Sequence, residues 1–161
     1  MNLREIAASL DLTVSHDVMI TGVSMDTRTL EPGHLFVALR GTRVDGQAFI
    51  PEAIQRGASA VLCSECVPEC GVPQLVYPDL EQALGLMATA YRASLSCSVI
   101  ALTGSNGKTT VKEMLASILP KPSFATPGNW NNHLGVPLSI MQLNATHRYA
   151  VLELGANHAG E

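Results

Sequence analysis

The sequence predicts an α/β chain built on parallel sheets, and three observations predict it. Short apolar runs alternate with amphipathic stretches of helical spacing along the whole length. The segment SVIALT (98–103) has the continuous apolar character of strands that a parallel sheet buries on both faces. Hydrophobic residues make up 47% of the 161 positions and charged residues only 15%, so the chain can bury a core. At about 150 residues per domain, this length admits one ordinary domain or two small ones.

The elements follow in order. Asn2 is placed to cap a first helix, with Glu5 as its reciprocal partner, and Leu3, Ile6, Ala7 and Leu10 share one face. Pro32-Gly33 makes a turn into a buried strand over 34–39. Residues 48–56 read as a short helix that Gly57 stops. Two strands, 58–63 and 74–77, flank a cysteine-bearing loop. Asp79 opens the clearest helix, with Gln82 as its capping partner and Leu80, Leu84, Met87, Tyr91 and Leu95 three or four apart. After strand 98–103 comes a helix over 109–119, its apolar side read as Val111, Met114, Leu115, Ile118 and Leu119. A polar, Asn-rich loop (128–132) follows a short segment of strand character near 123–126. A helix over about 137–143 and a buried strand over 149–154 complete the series. Tyr77-Pro78-Asp79 is the natural boundary, giving units 1–77 and 78–161.

Composition excludes several function classes. Ten Lys and Arg against fourteen Asp and Glu give a formal charge of -4, with no basic block for a phosphate backbone. Aromatics at 4% leave no base-stacking surface, so nucleic acid is not an expected partner. No apolar stretch approaches the roughly 20 residues of a membrane helix, and residues 1–10 do not match a secretory leader. The expected location is the cytoplasm, without membrane insertion. Cys63-x-x-Cys66 has a metal-knuckle spacing, but Cys70 and Cys97 supply no second tight pair, so reduced thiols without a metal are expected.

One segment carries chemistry. Gly104-Ser105-Asn106-Gly107-Lys108-Thr109-Thr110 lies between a predicted strand and a predicted helix. A helix N-terminus there offers free N–H groups and a positive dipole end to phosphate oxygens. Gly104 and Gly107 let the backbone curl, Lys108 is placed to neutralise β- and γ-phosphates, and the Thr109 hydroxyl is a candidate Mg²⁺ ligand. The standard phosphate-loop pattern requires glycine where this chain has Leu102, so the loop is a shortened version.

ALTGSNGKTTVKEML (101–115) resembles the ATP loop of the Mur ligases, amide-forming enzymes of peptidoglycan synthesis, which also lack that first glycine. The resemblance extends over 24–62, similar to the family's domain for the UDP end of the substrate. It continues through GNWNNHLGVPLS (128–139) and VLELGANHAGE (151–161), which resemble the branch that adds D-alanyl-D-alanine. It implies a small N-terminal α/β substrate domain, then the start of a phosphate-loop ATPase domain on a parallel sheet. It implies ATP and Mg²⁺ as cofactors, and UDP-N-acetylmuramoyl-tripeptide and D-Ala-D-Ala as small-molecule substrates. ATP would activate the tripeptide carboxylate as an acyl phosphate, which the amine of D-Ala-D-Ala then attacks.

Site residues follow from the same resemblance. Lys108 would be catalytic, Gly104–Thr110 would bind ATP, and Thr109 with Glu153 would hold Mg²⁺. Position alone leaves Glu153 open between that role and a solvated strand end. Ser24, Asp26, Thr27 and Arg28 match the segment lining the UDP pocket; the alternative is a surface salt-bridge turn. Asp45 and Gly46 match the family's Asp-Gly turn, although Gln47 stands where many relatives carry histidine. Asn129, Asn131, Asn132 and His158 are candidate substrate contacts, against the alternatives of a simple turn and a structural histidine. With the last predicted strand ending just before Glu161, the chain is expected to be an N-terminal portion, inactive in ligation alone. It is also expected to self-associate through an uncovered sheet edge. Two other readings share parts of this pattern. One is a folylpolyglutamate synthetase-like ligase, which has the short loop but lacks the UDP domain. The other is a non-catalytic UDP-sugar or nucleotide-binding module.

Overall fold

A computed structural model describes residues 1–41 and 44–155. It is α/β, with two all-parallel sheets. The chain separates into two compact units, Met1–Met87 and Ala88–Glu161. The division falls inside a helix, whereas the sequence places it just before that helix.

The first unit opens with α1 (Leu3–Ala8), closed by the capping box read from the sequence. The Glu5 N–H donates to Asn2 Oδ1 at 2.8 Å, and the Asn2 N–H donates to Glu5 Oε2 at 3.0 Å. Asn2→Ala should therefore lower the unfolding free energy by about 1 kcal/mol, as read by urea titration. Strands β1 (Gly22–Ser24), β2 (His34–Val37), β3 (Ala60–Cys63) and β4 (Gln74–Val76) pair in chain order. Helix α2 (Ile50–Gln55) connects β2 to β3, preceded by a 3₁₀ turn at Gly46–Phe49. One apolar cluster of this unit joins Phe36, Ile50, Ala53, Val61 and Cys63. All four cysteines are free, and burial, with the neighbouring Cys70 and Cys66, pushes the Cys63 thiol up to about 11. Strand β1 is absent from the sequence reading: Val23 is its one apolar residue, so no apolar run marks it.

Helix α3 (Leu80–Ala93) is the one that spans the division. Asp79 Oδ1 accepts from the Gln82 N–H at 2.9 Å, as its capping position predicts. In the second unit, β5 (Ser98–Leu102), β6 (Ser123–Ala125) and β7 (Tyr149–Glu153) form a sheet in the order β5-β7-β6. Helices α4 (Lys108–Ile118) and α5 (Gly135–Met141) both pack against β7, and α4 also packs against β6.

The face of α4 differs from the expectation. Met114 and Ile118 are 61% and 75% exposed, and Val111 is also exposed. The buried position is Lys112, with Leu115, Ala116 and Leu119 partly buried. The apolar arc is wider than the contact it makes, so spacing alone does not fix which edge turns inward. A lysine joins that edge because its aliphatic stem packs while its ammonium reaches carbonyl oxygens. Among the described residues no helix is long and apolar enough to cross a membrane.

Candidate functional site

Each unit carries one candidate site. In the second, β5 delivers the chain to a loop at 103–107 and α4 begins immediately after it. Gly107 caps α4 at φ +80°, and Gly104 sits at φ +142°, both in the region that penalises a Cβ. The first-turn N–H groups of α4 have no intrahelical acceptor and lie at its positive end. Lys108 Nζ donates to the Gly104 carbonyl at 2.6 Å, so its ammonium folds back over the loop. Ser105, Asn106 and Thr110 are exposed beside it.

Register brings a distant carboxylate to this loop. Leu102 pairs with Glu153 in the β5–β7 ladder, and the Leu154 N–H donates to the Leu102 carbonyl at 2.8 Å. Glu153 is buried, and its two carboxylate oxygens are gripped separately. The Thr109 hydroxyl donates to Oε2 at 2.9 Å, and the Asn131 side-chain amide donates to Oε1 at 2.8 Å. The Glu153 backbone N–H donates to Thr126 Oγ1 at 3.0 Å.

The Asn-rich loop divides into different jobs. Asn131 holds Glu153, whereas Asn132 Oδ1 accepts from the Gly135 N–H at 2.7 Å and closes the turn into α5. Asn129 is exposed, and its carbonyl accepts from the Asn131 N–H. His158 lies outside the described residues. Sequence reading missed Thr126 and Lys112, which sit beneath this loop. The signal for Lys112 was its i+4 spacing from Lys108, which puts both lysines on one face of the helix.

In the first unit, Met25, Asp26, Thr27, Arg28, Phe36, Phe49 and Glu52 line a cavity of about 450 Å³. The turn after β1 forms one wall. The Ser24 hydroxyl donates to the Asp26 carbonyl at 2.9 Å, and Asp26 Oδ1 accepts from the Arg28 N–H at 2.9 Å. The Arg28 guanidinium also pairs with Asp26 at 2.6 Å. That pair, with the Arg28 backbone N–H, holds the Asp26 carboxyl below its usual range. Arg28 itself is largely exposed, so the pair adds little stability and leaves the guanidinium accessible. Asp45 and Gly46 are not among the cavity residues. Asp45 Oδ1 caps the 3₁₀ turn through the Gln47 N–H, and its other oxygen pairs with Arg40 at 2.9 Å. Gly46 packs so closely on Leu39 that a Cβ would overlap the Leu39 carbonyl.

Comparison with known proteins bears on both sites. Residues 19–92 match the family model "Mur ligase family, catalytic domain", and residues 102–161 match "Mur ligase middle domain". The chain belongs to the Mur ligase family. Among Mur ligases, it is 46% identical over 147 residues to the UDP-N-acetylmuramoyl-tripeptide–D-alanyl-D-alanine ligase of Escherichia coli K12. That alignment covers 90% of the chain and 32% of the relative. The ligase of the same name from Bacillus subtilis 168 is 40% identical, with 89% and 32% covered. A crystal structure of MurF from Acinetobacter baumannii superposes with a TM-score of 0.84 at 38% identity, covering 98% of the chain and 36% of that protein. MurF from Thermotoga maritima, in complex with ADP, gives a TM-score of 0.75 at 33% identity, with 86% and 33% covered. The chain thus spans about a third of the length of the Mur ligases it matches.

Proposed function

We propose that this chain carries the nucleotide site and the UDP-substrate site of a cytoplasmic, ATP-dependent Mur ligase. The ligase joins D-Ala-D-Ala to UDP-N-acetylmuramoyl-tripeptide through an acyl phosphate. One observation carries the reading. The Gly104–Thr110 loop meets a buried carboxylate, Glu153, through the Thr109 hydroxyl at 2.9 Å.

The donors suit the cofactors. A hydroxyl and a carboxylate are hard oxygen ligands, and Mg²⁺ is commonly held by one or two protein groups together with substrate phosphates. When bound there, Mg²⁺ would neutralise phosphate charge during phosphoryl transfer. The chain's own groups do the rest. First-turn N–H groups of α4 receive phosphate oxygens, and Lys108 moves its ammonium from the Gly104 carbonyl to the transferring phosphoryl group. Asn131 fixes the orientation of the Glu153 carboxylate. The first unit, with its cavity walled by Met25–Arg28 and Phe49, holds the uridine end of the tripeptide substrate.

Two titrations followed by NMR test this. Mg²⁺–ADP should shift backbone signals of 104–110 and 153, and UDP-N-acetylmuramoyl-tripeptide should shift those of 25–28, 49 and 52. A nucleotide that leaves 104–110 undisturbed, or two ligands shifting one common set, would overturn the assignment.

A further inference from the structure

Lys112 is only 1% exposed, on a helix whose more apolar neighbours face solvent. Its ammonium is held by main-chain carbonyls and an ion pair. Nζ donates to the Thr126 carbonyl at 2.9 Å and to the Gly128 carbonyl at 3.0 Å, and it lies 3.2 Å from the exposed carboxylate of Glu113. Two of its protons thus go to main-chain carbonyls, and a carboxylate balances the charge. Burying a charge is costly, and a well-packed apolar side chain of similar volume often serves a core as well or better. A lysine here therefore points to something besides packing.

Both carbonyls belong to one turn, which joins β6 to the Asn-rich loop. At one end of that turn, Thr126 Oγ1 receives the Glu153 N–H. Beyond its other end, Asn131 grips the Glu153 carboxylate. The same helix presents Lys108 and Thr109 one turn earlier. We propose that Lys112 is a positioning residue: it clamps the 126–128 turn to α4 and so fixes the Glu153 carboxylate relative to Thr109. This deepens the Mg²⁺–nucleotide reading above and rests on it. Lys112 touches no reacting atom and acts through Thr126 and Asn131.

The test compares wild type with Lys112→Met, which keeps the stem and removes the charge and donors. ADP affinity is measured by calorimetry in EDTA and in Mg²⁺, and the Asn131 side-chain amide signals are recorded by NMR without nucleotide. Affinity in EDTA should stay within about twofold, whereas the gain conferred by Mg²⁺ should fall by about 10- to 100-fold, as for a group that orients a metal ligand. The Asn131 amide signals should move. A folded Lys112→Met protein with the full Mg²⁺ gain and unmoved Asn131 signals would overturn the proposal. If Lys112→Met does not fold, Lys112→Gln, which removes the charge and keeps a shorter, neutral amide donor, takes the same measurements with the same criteria. Unfolding of both variants would mark Lys112 as a residue of the fold alone and equally overturn the proposal. A wild-type chain that binds no ADP would instead defeat the nucleotide reading, and the Asn131 signals, which need no nucleotide, would still decide the role of Lys112.

Discussion

Lys108→Ala should weaken Mg²⁺–ADP binding by about 10- to 100-fold while leaving the thermal melt unchanged. The expectation comes from the loss of one charge-assisted contact to phosphate, about 1.5–3 kcal/mol. The fold should tolerate the change because the side chain is only partly buried and its hydrogen bond goes to a carbonyl of the exposed loop. Lys108→Arg is an informative companion. It restores charge but not the compact ammonium that fits between the loop and a phosphate, so it should recover only part of the affinity. Equal affinity of the alanine variant and wild type by calorimetry would remove Lys108 from the site.

Glu153→Ala should act on folding and on the metal together. Its carboxylate is the acceptor for both the Thr109 hydroxyl and the Asn131 amide. Removing it takes away the charged acceptor of both hydrogen bonds, at a cost of about 1.5–3 kcal/mol in urea titration. The same variant should bind ADP equally with and without Mg²⁺, because the hard-oxygen pair is broken. Glu153→Gln separates the effects: it keeps the shape and one acceptor oxygen, so it should retain most of the stability and still lose the Mg²⁺ gain. A Glu153→Gln protein with an undiminished Mg²⁺ gain would show that the carboxylate is not a ligand.

What could be read from sequence was local. The Asn2–Glu5 box, the Asp79 cap and the glycine-rich loop each depend on residues within a few positions of one another, and each stands where the spacing put it. The Glu153–Asn131 pair and the Thr126 support depend on strand register between β5, β6 and β7, which no local window contains. The inward edge of α4 was missed for a related reason. Its apolar residues outnumber the positions that the β6–β7 surface covers, and the deciding side chain, Lys112, is polar by type and apolar through its stem. Asn132 and Asp45, candidate ligand contacts by sequence, each cap a turn, since short polar side chains serve backbone N–H groups and ligands with the same oxygen.

The strand order has a consequence for how the protein is made. In the first unit each strand pairs with its predecessor, so the four-stranded sheet can grow one strand at a time as the ribosome releases it. The second sheet cannot. β5 and β6 both ladder onto β7, and β7 is the last of the three to be synthesised. Until Tyr149–Glu153 emerges, the glycine-rich loop and its helix hang on a strand without its central neighbour. The nucleotide site proposed for this unit is therefore incomplete until β7 has left the ribosome.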